Sequence, residues 1–79
     1  MILGDFIKNY VELDTIVDID ARYPAEDTGL WFEYSGPISY LLDGNGYKAL
    51  LDASLESIRP TYHKHQIGEV RLGIIVVHE

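Results

Sequence analysis

Cysteine is absent from the 79-residue chain, which excludes disulfide staples, thiolate zinc sites and cysteine nucleophiles. A small domain without cysteine fits a cytoplasmic setting better than a secreted one. Basic residues are scarce, with six Lys and Arg against thirteen Asp and Glu. Direct nucleic-acid binding is therefore disfavoured, because phosphate contacts need a basic patch. No apolar run approaches the roughly 20 residues that span a bilayer. Met1-Ile2-Leu3-Gly4-Asp5 carries neither the basic start nor the apolar stretch of a secretory signal. Repeats, low-complexity tracts and linkers are also missing, so residues 1–79 read as one domain.

What is present is an ordinary globular mixture, 47% hydrophobic and 24% charged, enough apolar side chain to offset the entropy of ordering. A core this small is thin, and chains of this size keep a net stability of about 3–5 kcal/mol. Oligomerisation is one way to add to it. The net charge of −7 lies wholly before Ala53: Met1 to Asp52 holds ten acids and three bases, and Ala53 to Glu79 holds three of each. Such acids confer solubility, and they can also form a face for a basic protein surface.

The periodicity predicts an α+β fold of order α-β-β-(short α)-β-β: a short N-terminal helix packed on a four-stranded, mostly antiparallel sheet. Leu3, Phe6, Ile7 and Tyr10 share one face of a helix from Leu3 to Val11. Leu13-Asp14-Thr15 is a turn. From Thr15 to Tyr23 the pattern alternates, with Val17, Ile19, Ala21 and Tyr23 on one side and Asp18, Asp20 and Arg22 on the other. Pro24 ends that strand, and a polar loop with Glu26 and Asp27 follows. Leu30 to Ser35 is the second strand of a hairpin. Alternation places Leu30, Phe32 and Tyr34 on one face, and Trp31, Glu33 and Ser35 on the other. Ile38 to Leu42 and Tyr47 to Asp52 supply helical turns around an Asp43-Gly44-Asn45-Gly46 loop. Leu55 to Arg59 is read as a strand that Pro60 terminates, although helix competes there. Thr61 to Gln66 is then a loop. Gly68 to His78 is apolar on both faces, as in an interior strand or a subunit contact.

Candidate chemistry is sparse. His63 and His65 could both reach one ion from an extended loop, but a zinc site needs further ligands. Only His78 and Glu79 are on offer, no spacing gathers them, and Lys64 repels a cation. Asp18 and Asp20 stand side by side and could share a proton or a hard cation. An outward strand face is usually wet, however, and an acidic patch explains them. Asp43-Gly44-Asn45-Gly46 resembles part of a calcium loop, but the twelfth position, which should be glutamate, is Ser54. No phosphate-binding glycine fingerprint and no nucleophile elbow is present. The expectation is a non-enzymatic protein with no cofactor and no metal.

Aromatic residues are numerous for so small a chain. Tyr10, Tyr23, Trp31, Phe32, Tyr34, Tyr40, Tyr47 and Tyr62 exceed what a thin core can hold. Exposed rings interleaved with acids serve protein-binding surfaces as anchors, and rings at a core edge with wet hydroxyls account for the rest.

Leu3-Gly4-Asp5-Phe6-Ile7, Asp14-Thr15-Ile16-Val17-Asp18-Ile19, Leu55-Glu56-Ser57-Ile58 and Leu72-Gly73-Ile74-Ile75-Val76 resemble segments of small acidic proteins encoded by phages and mobile elements. Anti-CRISPR proteins are among them. The resemblance implies a non-enzymatic inhibitor in the cytoplasm of a bacterial host cell. Its carboxylates would replace phosphates against a basic, nucleic-acid-binding protein surface, a CRISPR-associated nuclease or complex being one such partner. The expected partner-binding residues are Asp14, Asp18, Asp20, Glu26, Asp27 and Glu33 for charge, with Trp31 and Tyr34 as apolar anchors. The alternative is a structural or assembly module that forms a homodimer through the C-terminal strand. A small-ligand or metal-binding domain using His63 and His65 is a third class.

Overall fold

A computed structural model describes residues 1–24, 29–44, 46–62 and 70–78, without the side chains of Tyr10, Thr61, Tyr62 and Val70. The order of elements is α1 (Leu3–Tyr10), β1 (Ile16–Arg22), β2 (Leu30–Pro37), α2 (Ile38–Asp43), α3 (Lys48–Leu51), β3 (Ser54–Tyr62) and β4 (Val70–Val77). This is the expected α+β order. The four strands form one sheet in the order β2-β1-β4-β3. The outer pairs β1–β2 and β3–β4 are antiparallel, and the central pair β1–β4 is parallel.

Alternation in β1 sends Val17, Ile19 and Ala21 inward, and all three are fully buried. Ile74 and Val76 of β4 lie beside Ile19 and Ala21 and are buried with them. All three helices cover this one side. Leu3 and Ile7, one turn apart on α1, are buried, as are Ile38 and Leu41 of α2 and Leu50 of α3. A helix of eight residues cannot hold alone. α1 has no side-chain N-cap, and instead its first amide is tied into the fold, Leu3 N–H donating to Ala53 O at 2.9 Å. The acid at Asp5 also complements the helix dipole in the first turn.

Two bulges depart from simple alternation. In β2, Phe32 lies opposite Asp20 and Tyr34 opposite Ile19, so Glu33 is the extra residue. In β3, Leu55 pairs with Val76 and Ser57 with Ile75, leaving Glu56 extra. The first bulge corrects the expected facing of the second strand. Leu30 and Phe32 share the open side with Arg22 and Asp20, whereas Tyr34 shares the helix side with Ile19 and Trp31 shares it with Ala21. A single inserted residue exchanges the two faces of everything beyond it.

Pro60 does not end β3, which continues to Tyr62 with Pro60 paired to Leu72. β3 is an edge strand, and an edge tolerates proline where its missing N–H faces outward. Thr61 and Tyr62 are therefore strand, not loop. Residues 63–69, including His63 and His65, lie outside the described residues, as do Glu26 and Asp27.

Gly36 has φ +150°, and a Cβ there would lie 3.1 Å from Tyr34 Oη. That hydroxyl donates to Pro37 O at 2.6 Å. Gly36→Ala thus combines a backbone conformation that L-residues avoid with pressure on a buried ring. We expect a loss of about 1–3 kcal/mol, read as a lower midpoint in urea unfolding with unchanged slope.

Candidate binding surface

Opposite the helices, the sheet is bare. Its open face runs in cross-strand rows. Leu30, Arg22, Val77 and Ser54 form one row, Phe32, Asp20, Ile75 and Ser57 the next, and Ser35, Asp18, Gly73 and Arg59 a third. Of these only Gly73 is buried. Leu30, Phe32, Ile75 and Val77 give the first two rows an apolar character that Asp20 and Arg22 interrupt. Along the β2 edge, three consecutive large apolar side chains are exposed: Leu30, Trp31 and Phe32, with Phe32 at 71%.

The charges on this face are mostly paired. Asp18 accepts from Ser35 Oγ at 2.6 Å and from Arg71 Nη1 at 3.3 Å, and Arg71 Nη1 also donates to Ser35 Oγ at 3.3 Å. Gly73 puts no side chain between them. Arg22 grips Glu56 through two bonds of 3.1 and 3.4 Å. Lys48 pairs with Asp52 at 2.9 Å on the exposed side of α3, and that bond, followed by the charge of Asp52, raises the lysine pKa. Asp20 and Asp14 have no ion-pair partner among the described residues.

Among the described residues, the expected contact residues do not converge into one surface. Asp14 sits in the turn before β1, at the opposite end of that strand from Leu30, which pairs with Arg22. Seven residues of strand separate them by about 20 Å. Asp18 is neutralised by Arg71. Tyr34 is buried, so its ring is no surface anchor. Burial is also the first cause raising its phenol pKa, followed by the nearby Tyr47 and Tyr40. Its neutral hydroxyl remains the donor to Pro37 O. Asp20 and Trp31 remain accessible, and both lie beside Phe32, which the expected contact set leaves out.

Glu33 belongs to a different cluster at the end of the sheet. The ring of Tyr23 stacks on His78 at 4.8 Å, and its hydroxyl donates to Glu33 Oε1. His78 Nε2 lies 3.6 Å from the same oxygen and is buried without a hydrogen-bond partner among the described residues. Proton transfer to a substrate needs that nitrogen to meet it at hydrogen-bond distance, and Nε2 is shielded from solvent as packed. The arrangement closes the end of the core, and it holds Glu33 away from the open face.

Among the described residues no group of three or more His, Asp or Glu is placed to hold a metal ion, and His63 and His65 fall outside them. No helix among the described residues is long and apolar enough to cross a membrane. β4 is an interior strand with a neighbour on each edge, so the alternative homodimer cannot form by pairing strand edges there, and only the Ile75 and Val77 face is open to a second chain.

Alternation misses Phe32 because the bulge is silent in sequence. One signal was available: Leu30, Trp31 and Phe32 are three successive large apolar residues in a strand, and a sheet covered on one face only cannot bury all three. No protein-family model, curated protein or solved structure matches the chain.

Proposed function

We propose that the chain is a non-catalytic binding domain that docks on a basic protein surface, as an inhibitor of the anti-CRISPR type would on a nucleic-acid-binding groove. The observation that carries this reading is the exposed run Leu30-Trp31-Phe32 beside the carboxylate of Asp20, which has no ion-pair partner among the described residues, on a chain with net charge −7. Exposed apolar side chains beside a carboxylate supply the two parts such an interface needs. Buried aromatic contacts slow release, and complementary charge speeds encounter. The acidic surface is smaller than the sequence suggests. It centres on Asp20, and Asp18 contributes little while Arg71 holds it.

The test is capture on the immobilised chain from a nuclease-treated bacterial lysate, with duplex DNA added as competitor. A nucleic-acid-binding protein should be retained, released by excess DNA and released as salt rises, because screening acts beyond about 8 Å at physiological ionic strength. Retention indifferent to both DNA and salt defeats the proposal.

A further inference from the structure

All three arginines of the chain stand at open-face positions of the sheet: Arg22 on β1, Arg59 on β3 and Arg71 on β4. Three acids meet them there: Asp18, Asp20, and Glu56 through its bond to Arg22. Among the described residues, the open face is thus electrically balanced. The rest of the chain, with ten acids and three lysines, carries the whole net charge of −7. Two ion pairs are already made on the face, Arg22 with Glu56 and Arg71 with Asp18. Two opposite charges are left over, since neither Asp20 nor Arg59 has an ion-pair partner among the described residues. Asp20 lies beside Ile75, and Arg59 beside Gly73. Two strand spacings and two residues separate them, roughly 12 Å between backbones. Ile75 between them is partly exposed, and Phe32 on the other side of Asp20 is 71% exposed.

We infer that two copies of the chain pack their open faces together, with Asp20 of each copy against Arg59 of the other. A two-fold contact is self-complementary, so that when one residue meets a second, the second meets the first. A half-turn about an axis between the sheets, midway between Asp20 and Arg59, exchanges those two positions. Both leftover charges are then paired by one rotation. The same axis passes between Ile75 and Gly73, so Ile75 meets its counterpart, and the missing side chain of Gly73 lets the sheets approach the usual 10 Å or so. An acidic chain repels its own copies over most of its surface, and the balanced face is where that repulsion is least. Four strands of about seven residues outline a patch of roughly 450 Å² on each copy. Stable interfaces cover about 800 Å² per partner, so the pair is weak and reversible. The inference goes beyond the proposed docking. A second copy closes the face in the free chain, and a partner protein that binds there displaces it.

Sedimentation equilibrium of the full chain, up to about 1 mM, measures the association. The parent should pass from monomer to dimer within that range. Asp20→Arg and Arg59→Asp each place like charges at both contacts, and each should weaken self-association at least tenfold. One variant then carries two bases at these positions and the other two acids. An equimolar mixture restores both contacts and should associate at least as tightly as the parent. A parent that stays monomeric overturns the inference, as do variants that self-associate like the parent. Weakened variants whose mixture is not restored overturn it too. If a reversal alters the circular dichroism of the chain, Asp20→Asn and Arg59→Gln replace it in a coupling cycle. The double variant should then associate no more weakly than either single one, and additive losses overturn the contact. A monomeric parent leaves the docking on a basic surface standing, because capture from the lysate reads that separately.

Discussion

Ile19→Ala is expected to remove most of the folding stability at room temperature. Ile19 has no exposed surface and occupies the middle of the sheet, with Tyr34 beside it on β2 and Ile74 on β4. Removing three buried carbons loses their transfer free energy and leaves a cavity, together costing about 2–5 kcal/mol. A chain of this length has only about 3–5 kcal/mol to lose. The neighbours cannot close the gap, because both are held by strand pairing and Tyr34 is further fixed by its bond to Pro37 O. Ile19→Val leaves most of the contact and should cost about 0.5–1.5 kcal/mol, staying folded. Circular dichroism with urea titration distinguishes them. An Ile19→Ala protein with the parent midpoint would mean that the core is not centred on β1.

That centre was legible from the alternation of β1, since hydrophobic residues at every second position have only one way to be buried together. The apolar stripe of α1 and the doubly apolar β4 were legible for the same reason, and β4 proved interior. The pairing of β1 with β4 was not. Parallel neighbours 55 residues apart leave no local mark, and only the doubly apolar pattern of β4, which suits an interior strand, hints at it. The bulges at Glu33 and Glu56 were equally silent, because an inserted residue leaves the flanking alternation intact while exchanging its sides. Pro60 misled in the opposite direction: its meaning depends on whether the strand is at an edge, which is a property of the whole sheet. At the candidate site, Trp31 and Asp20 were named from composition and alternation, and both are accessible. Asp18 was named too, but its pairing with Arg71 joins residues 53 apart in the chain, beyond the reach of any spacing argument.

Phe32→Ala and Tyr34→Ala are expected to have opposite consequences, and the bulge between them is the reason. Without it the two rings would share a face and a role. With it, Phe32 is 71% exposed and Tyr34 is buried at 7%. Phe32 therefore adds little to folding, and its removal should shift stability by no more than about 0.5 kcal/mol. As the central exposed ring of the proposed contact it should cost binding about 2 kcal/mol, near 30-fold in affinity. Tyr34 meets the edge of Tyr47 at 5.2 Å and donates to Pro37 O, so Tyr34→Ala removes an aromatic side chain from the core at about 3–5 kcal/mol. Tyr34→Phe keeps the ring and loses the hydroxyl bond, about 1 kcal/mol, and should bind the partner as the parent does. Paired urea and binding titrations read both axes. If Phe32→Ala binds like the parent, Leu30 and Trp31 cannot be acting with it as one apolar contact, and the surface has to be sought elsewhere on the open face.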